Sequence, residues 1–392
     1  MPKLDTYYAY HPLKAEIGER TVPYFTRRAL GPWRDRLMPA RLLAEWASVE
    51  PGAEVLHVHC GDGLAGAAIA GQIATGRLVL LDSHVAAVET ARRTLEANGV
   101  TNAQVMLSDC AQAVRDRSFD SVLALMPKGR AVWEQTVRDA AHILRQGGDL
   151  YLAGAKNAGI KTAAKFMERV FGAVSVLAYK GGCRVLRAVK GSESAPEAGS
   201  YYAWSTVNTR VGDEDIAYTA KQGIFSSDKV DDGTRLLVET LQDQPLQASD
   251  QVLDVGCGSG VLTLVAARQA HAGHVIGLDA DCRAVEATRR TLAHNSIPNA
   301  EAMLSDCGQA VSDRQFTAVV TNPPFHQERA TTYVIAEQII REAAALLQRR
   351  GRLYLVANSF LKYGPIVEEA FGSAEVLRKT NRFKVWYATK TR

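Results

Sequence analysis

The chain has 392 residues, long for one domain and comfortable for two, and its 47% hydrophobic and 22% charged residues are typical of a globular protein. A net charge of +4 permits a nucleic-acid partner but excludes binding by charge alone. The six cysteines form no CxxC pair, which favours reduced thiols in a cytoplasmic protein. No stretch approaches the ~18 consecutive apolar residues of a membrane span, and the N-terminus lacks the apolar segment of a secretory signal.

The first forty residues mix arginines with aromatic side chains. This mixture has two interpretations, an RNA-facing patch or a solvated face on which long aliphatic stems cover apolar surface. The residues concerned are Tyr24, Phe25, Arg27, Arg28, Trp33, Arg34 and Arg36.

An internal repeat begins at Val55. Residues 55–63 align with 252–260 at a spacing of 197, and this spacing holds without a gap for more than seventy residues. It places Asp82 on Asp279, and the letters MLSDC at 106–110 on the same letters at 303–307. The chain is therefore predicted to contain two copies of one domain.

Each copy alternates short apolar runs with helical stretches, which predicts an α/β fold. Several runs are apolar on both faces, as in parallel strands covered on each side. We predict two tandem Rossmann-like domains, each with a mostly parallel seven-stranded sheet and helices on both faces. In the second copy the predicted strands are 252–255, 275–278, 300–304, 318–321, 353–357 and an edge hairpin of 375–377 and 384–389; the helices include 284–295 and 331–347.

The boundary between the copies is a small, polar segment with proline and glycine. Residues 190–200 have this linker composition. The predicted domains are therefore 1–189 and 201–392, and a hairpin of 204–211 and 216–219 leads into the second copy.

Residues 252–260, VLDVGCGSG, predict a buried strand that runs into a tight turn and a helix. Glycines let the backbone bend sharply and let a ligand approach it closely, and the first helical N–H groups then face that ligand. Asp279 ends the next strand, where an acid can accept from both ribose hydroxyls of an adenosine cofactor. Asp306 and Cys307 follow the third strand, where they can bind an adenine amino group.

Asn322-Pro323-Pro324-Phe325, at the end of the fourth predicted strand, decides between nicotinamide, flavin and sulfonium cofactors. The nicotinamide fingerprint requires a third glycine where Val261 stands. Consecutive prolines fix an extended backbone, so that the Asn322 side-chain oxygen and the Pro323 carbonyl can orient one planar nitrogen for methylation. Phe325 offers a face on which a base can stack.

Taken together, these motifs resemble the ribosomal RNA guanine-N2 methyltransferases, class I S-adenosylmethionine-dependent enzymes with tandem copies of the domain. The resemblance covers nearly the whole chain and also rests on 223–226, 230–234 and 356–363. It implies that the second copy binds S-adenosylmethionine and guanine, while the first is degenerate and supports folding and RNA recognition. The implied cofactor contacts are Phe225, Ser226, Asp254, Gly256, Cys257, Gly258, Gly260, Asp279, Ala280, Asp306, Cys307 and Asn322. Lys221-Gln222 departs from the family, in which proline is expected before Gly223.

The first copy lacks the chemistry of the second. His57 and His59 replace Asp254 and Gly256, and the β-carbon of His59 would intrude on the cofactor. Asn322, Pro323 and Phe325 correspond to Leu125, Met126 and Lys128, although Asp82 and Asp109 remain. We favour packed, hydrogen-bonded histidines over a metal site with Cys60, because no fourth ligand is apparent.

The predicted activity is methylation of guanine N2 in ribosomal RNA, with 16S rRNA and the 30S subunit preferred over 23S rRNA. The alternatives are N5-methylation of a glutamine, N6-methylation of adenine, and a non-catalytic RNA-binding assembly factor. We expect a cytoplasmic monomer without metal. Candidate phosphate contacts are Lys156, Lys161, Lys165, Arg349, Arg350 and Arg352, of which Arg349 and Arg350 are predicted to lie in the last turn of a helix.

Overall fold

The computed structural model describes residues 5–31, 33–192, 199–324 and 329–391, which form two compact units. The first unit is Tyr8–Tyr202, and the second combines the described N-terminal residues up to Tyr7 with Ala203–Arg392. Most of the predicted linker, 193–198, lies outside the described residues, as do the side chains of Trp33 and Arg34.

The first unit contains a seven-stranded sheet with helices on both faces. After the short helix α1 (Asp5–Tyr8), its elements are β1 (His11–Ile17), β2 (Arg20–Thr26), α2 (Trp33–Trp46), β3 (Glu54–Val58), α3 (Leu64–Ala70), β4 (Arg77–Asp82), α4 (Val85–Ala97), β5 (Ala103–Leu107), β6 (Phe119–Leu125), α5 (Arg130–Ile143), β7 (Leu144–Ala155), α6 (Ile160–Phe171), β8 (Ser175–Lys180) and β9 (Cys183–Val189). The strand order is β5-β4-β3-β6-β7-β9-β8, and β9 runs against its neighbours. Strands β1 and β2 form a separate antiparallel hairpin.

The second unit repeats this architecture. Its elements are β10 (Ser205–Val211), β11 (Glu214–Ala220), α7 (Asp232–Asp243), β12 (Gln251–Val255), α8 (Val261–Gln269), β13 (His274–Asp279), α9 (Cys282–His294), β14 (Ala300–Leu304), β15 (Phe316–Thr321), α10 (Arg329–Leu346), β16 (Leu347–Asn358), α11 (Gly364–Phe371), β17 (Glu375–Lys379) and β18 (Phe383–Thr389). The order β14-β13-β12-β15-β16-β18-β17 matches that of the first sheet, and the predicted fold class is confirmed.

Strand β12 lies in the interior of the second sheet and has buried residues on both faces. The adjacent residues Val252 and Leu253 point to opposite sides of the strand, and neither is exposed to solvent. Strands β13 and β15 pair with β12 in parallel on its two edges. This arrangement places the glycine-rich turn after β12 between the carboxyl ends of its neighbours, where α/β proteins bind their ligands.

The hairpin before each sheet belongs to the repeat. The amide of Asn98 in the first unit donates to Pro23 in β2, and that of Asn295 in the second unit donates to Ala217 in β11. Both asparagines follow the helix that packs on the hairpin, so each hairpin is tied to its sheet in the same way.

The predicted helix end at residue 347 lies one residue from the observed end, but the prediction that Arg349 and Arg350 lie in the last turn of that helix is wrong. The helix ends at Leu346, and Arg349 and Arg350 lie within strand β16. The pairing with β15 skips from Leu347 to Arg352, and the intervening bulge is held by a hydrogen bond from the Arg350 amide to the Lys390 carbonyl. Local periodicity does not reveal a contact with a residue forty positions further along the chain, so the strand was predicted too short.

Among the described residues, no helix combines the length and the apolar character needed to cross a membrane.

Candidate active site

The predicted site residues of the second unit follow four parallel strands at one edge of the sheet. Gly256 follows β12, Asp279 ends β13, Asp306 follows β14 and Asn322 follows β15. Because the carboxyl ends of parallel strands meet at the same edge, the structure brings these residues to one crevice. Phe325 lies outside the described residues.

The glycine loop is held in place by its neighbouring strand. The amides of Gly256 and Cys257 donate to the Leu278 carbonyl at 2.8 and 2.9 Å. The Gly258 amide donates to Oδ2 of Asp279 at 3.1 Å, and the Asp281 amide donates to Oδ1 at 2.9 Å. Asp279 therefore shapes the loop in addition to its predicted contact with ribose, for which each carboxylate oxygen has a second lone pair.

Glycine is needed at two positions of the loop for different physical reasons. Both Gly256 and Gly260 are left-handed, with φ of 83° and 84°. A β-carbon on Gly260 would lie 2.9 Å from the Thr288 Cα, whereas one on Gly256 would meet nothing closer than the Asn322 carbonyl at 4.0 Å. Gly260 therefore allows the loop to pack on α9, while the space beside Gly256 is left open and suits a ligand.

Asp254 is fully buried, which the sequence did not indicate. Its Oδ2 accepts a hydrogen bond from Thr263 at 2.6 Å, and its Oδ1 has no hydrogen-bond partner among the described residues. Burial raises the pKa of Asp254 to about 7. The carboxyl group thus joins β12 to helix α8 from within the core, and its predicted contact with the cofactor stays a prediction.

Asn322 is held by the first turn of helix α7. Its amide Nδ2 donates to Oγ1 of Thr234 at 2.9 Å and to Oδ2 of Asp231 at 3.2 Å. Because a carboxylate only accepts, Asp231 must face the amide nitrogen, which directs Oδ1 of Asn322 away from it. This oxygen is buried and has no hydrogen-bond partner among the described residues. It is a fixed acceptor that suits an incoming N–H donor.

Sequence reasoning missed Asp231 and Thr234 as site residues. Asp231 also caps helix α7 by accepting from the amides of Gly233 and Thr234 at 2.8 and 3.2 Å. An aspartate at this position is a recognised N-cap signal for the start of a helix. The sequence did not show that this helix end faces Asn322, ninety residues later.

The remaining predicted contacts lie in the loop between β11 and α7 and in the loops that follow β13 and β14. Phe225 has 46% of its surface exposed, and Ser226 adopts a left-handed backbone with φ of 59° while its carbonyl accepts from Tyr218. Ala280 directly follows Asp279, and Cys307 follows Asp306 in a left-handed conformation with φ of 49°.

The equivalent crevice of the first unit is built differently. His59 keeps the left-handed backbone of Gly256, with φ of 54°, and its Nε2 lies 2.8 Å from the Thr136 hydroxyl in α5. The imidazole of His59 thus extends from the loop to α5, across the space that is left open beside Gly256 in the second unit. Met126 lies against Gly154 on strand β7, and the described residues contain no cluster of three metal-binding side chains.

His57 is packed, but the prediction that it is hydrogen-bonded is wrong. Both ring nitrogens are buried without a hydrogen-bond partner among the described residues. Burial lowers the pKa of His57 to about 3, so the ring is neutral. Thr263 of the second unit corresponds to Gly66, and a β-carbon there would lie 2.5 Å from Leu80 and 3.4 Å from His57.

Among the N-terminal arginines whose side chains the structure describes, Arg28 is exposed while Arg27 and Arg36 are engaged within the protein. Arg27 is 2% exposed and pairs with Glu89 at 2.5 Å, while Arg36 donates to the hydroxyl of Thr26 and pairs with Asp62. Arg352 pairs with Asp250. These three side chains are occupied within the protein. The exposed candidates for phosphate contacts are Lys156, Lys161, Lys165, Arg349 and Arg350.

The second unit combines a sheet of this order with a glycine loop, acids after the second and third strands and Asn-Pro-Pro after the fourth. These features define a class I methyltransferase fold, and the first unit repeats the fold without Asn-Pro-Pro. The family model described as the methyltransferase small domain matches residues 38–187 and 215–387. The chain belongs to this family, and the class predicted from the sequence is confirmed.

Relatives with the same architecture are ribosomal RNA methyltransferases. The ribosomal RNA small subunit methyltransferase C of Chromohalobacter salexigens is 39% identical over 280 residues, 68% of this chain and 77% of that protein. Its counterpart in Stutzerimonas stutzeri is 33% identical over 273 residues, 69% of this chain and 80% of that protein. The structure of the T. thermophilus 16S rRNA N2 methyltransferase in complex with AdoMet and guanosine matches 99% of this chain and 100% of its own, with a TM-score of 0.81 and 29% identity.

Substitution of the two loop glycines is expected to give two different phenotypes. Both Gly256→Ala and Gly260→Ala incur the left-handed penalty of about 1–2 kcal/mol, but only Gly260→Ala adds a clash with helix α9. We expect Gly260→Ala to melt at the lower temperature, and Gly256→Ala to stay folded while its affinity for S-adenosylmethionine falls at least about tenfold. Thermal melts and calorimetric titrations measure both effects. Equal melting temperatures, or unchanged cofactor binding by Gly256→Ala, would contradict this assignment.

Thr234→Val tests how Asn322 is held. The variant keeps the shape of the side chain but removes the acceptor of the Asn322 amide, so kcat should fall at least about tenfold while the Kd for S-adenosylmethionine stays within about twofold. Thr240→Val is the matched control, because Thr240 lies on the same helix and its hydroxyl bonds only the Leu236 carbonyl among the contacts described. Equal kcat values for the two variants would exclude a role for Thr234 in positioning Asn322.

Proposed function

We propose that the protein transfers a methyl group from S-adenosylmethionine to the exocyclic N2 of a guanine in 16S rRNA, and that the second unit performs the reaction. The observation that carries this proposal is the Oδ1 of Asn322, which is fixed after β15 and has no hydrogen-bond partner among the described residues. The named activity of the relatives in C. salexigens, S. stutzeri and T. thermophilus supports the choice of substrate.

The residues around the crevice suit the donor. S-adenosylmethionine supplies an electrophilic methyl group on a sulfonium. Gly256 leaves room for a ligand against the backbone, Asp279 lies where the ribose hydroxyls are expected, and Asp306 lies where an adenine amino group is expected. The chain thus offers acceptors for the donor groups of an adenosine at the ends of successive strands.

Asn322 addresses the chemical difficulty of the acceptor. The N2 lone pair of guanine is delocalised into the ring, so this amine is a weak nucleophile. Oδ1 of Asn322 can accept one N2 hydrogen and the Pro323 carbonyl the other, which orients the lone pair and stabilises the positive charge that grows as the new N–C bond forms and the S–C bond breaks. The extra N2 proton is then lost to solvent.

The base must be unpaired or turned out of its helix, because N2 lies on the Watson–Crick edge. We propose the RNA of the 30S subunit as the partner, a monomeric cytoplasmic enzyme and no metal. The proposed domains are 1–189 for the degenerate copy, 190–200 for the linker and 201–392 for the catalytic copy, except that the described N-terminal residues up to Tyr7 group with the catalytic copy, and Tyr201 and Tyr202 with the degenerate copy.

Incubation with methyl-labelled S-adenosylmethionine tests the function. Separate reactions contain 30S subunits, 50S subunits, naked rRNAs and a release factor, and label is expected in 16S rRNA as N2-methylguanine. Label in 23S rRNA, in adenine or in a protein glutamine would each replace the proposed substrate. An absence of any cofactor affinity by calorimetry would instead identify a non-catalytic RNA-binding factor.

Asn322→Ala separates catalysis from cofactor binding. Because Asn322 acts on the acceptor, the variant should lose turnover by about a hundredfold or more, the cost of removing one aligned group from a transition state. Its Kd for S-adenosylmethionine should change little. Leu125→Ala, the equivalent position in the first copy, is the control and should affect only stability. Substantial turnover by Asn322→Ala would rule out the assigned role.

A further inference from the structure

A second short repeat lies outside the alignment of the two sheets. Tyr7-Tyr8-Ala9 precedes the first hairpin, and Tyr201-Tyr202-Ala203 precedes the second, at a spacing of 194 instead of 197 residues. The first tyrosine of each pair is almost completely buried, Tyr7 with 3% and Tyr201 with 1% of its surface exposed.

Tyr7 lies against the third-strand acid of the second unit. Its hydroxyl donates a hydrogen bond to Oδ1 of Asp306 at 2.9 Å, and it lies 3.5 Å from Sγ of Cys307. Burial and the neighbouring Cys307 and Asp306 raise the pKa of the Tyr7 hydroxyl. The phenol therefore stays protonated and remains a donor to the carboxylate throughout the neutral range.

Tyr201 makes the same contact in the first unit. Its hydroxyl donates to Oδ1 of Asp109 at 2.7 Å, and its ring packs with Cys110 and Val132. Asp109 and Cys110 are the residues that align with Asp306 and Cys307. The same tyrosine-to-acid contact is thus made in both units, although the two tyrosines come from different lead-in segments.

The tyrosine-to-acid contact in the first unit indicates whether the same contact in the second unit is a gate or a fixed part of the pocket wall. A gate that closed over the donor would have nothing to control in the first unit, where His59 bridges the crevice and the Asn-Pro-Pro sequence is absent. The tyrosine is therefore a permanent part of the wall in both copies. Only in the second unit does the acid that it holds also lie in a crevice suited to a donor.

We propose that Tyr7 is a positioning residue of the cofactor pocket, whose hydroxyl holds Asp306 in the orientation that receives the adenine amino group of S-adenosylmethionine. This inference rests on the proposed function of the second unit. A carboxylate that is held before binding loses less side-chain freedom when the ligand arrives, so the contact increases affinity without touching the reacting atoms. It also favours adenine over a base that lacks the amino group.

Tyr7→Phe tests the proposal in the full-length protein, because it removes the hydroxyl and keeps the buried ring. The Kd for S-adenosylmethionine, measured by calorimetry, should rise about tenfold, the loss expected for one hydrogen bond to a charged group. The value of kcat at saturating donor and the KM for RNA should be unchanged. Tyr201→Phe is the matched control: it removes the same contact from Asp109 and should leave the Kd unchanged.

A deaminated ligand separates positioning from packing. S-adenosylhomocysteine and S-inosylhomocysteine differ at the 6-position of the base, where the latter has no amino group. Tyr7→Phe should weaken binding of the adenosyl ligand about tenfold and leave binding of the inosyl ligand equal to that of the wild type. Equal losses for both ligands would show a packing effect, and tighter binding by Tyr7→Phe would show a plug; either result overturns the proposal. Failure of the wild type to bind either ligand would refute the proposed function itself.

Discussion

The glycine loop of each unit depends on one carboxylate. In the second unit Asp279 accepts from the Gly258 and Asp281 amides, and in the first Asp82 accepts from the Gly61 and His84 amides at 3.0 Å each. This pair of hydrogen bonds joins the turn after the central strand to the end of the next strand. Without it, the left-handed residues of the loop would lack the contacts that compensate for their conformational cost.

The same contact explains which acids remain in the degenerate copy. In the sequence, Asp82 and Asp109 remain in the first copy although the Asn-Pro-Pro sequence does not. The structure gives each of them a partner within the protein, since Asp82 binds the loop and Asp109 accepts from Tyr201. Asp82 and Asp109 thus have a partner within the protein, whereas the acceptor Oδ1 of Asn322 has none among the described residues, and Leu125 stands at its position in the first copy.

Asp254 and His57 occupy equivalent positions but differ between the copies, and the residue packed beside each of them differs as well. In the second unit Asp254 bonds Thr263, and in the first unit the same two positions hold His57 and Gly66. A side chain at position 66 would need space that Leu80 fills, since a β-carbon there would lie 2.5 Å from Leu80 and 3.4 Å from the imidazole ring. Both arrangements bury a polar group that is incompletely paired. The exchange therefore alters the core beneath the loop while the backbone of the loop persists.

Local patterns were sufficient to predict the fold and the residues on the loop, because strand periodicity, glycine spacing and the repeat are written within short stretches. The bulge in β16, the helix end behind Asn322 and the tyrosine on Asp306 could not be predicted in this way. Each depends on a contact between residues far apart in sequence, such as Asp231 with Asn322 or Tyr7 with Asp306. These distant partners act on side chains that the sequence had already identified. A motif supplies the chemical group, and the fold supplies the second contact that gives this group one orientation. For Asn322, that second contact engages the amide nitrogen and leaves the acceptor oxygen for the proposed substrate.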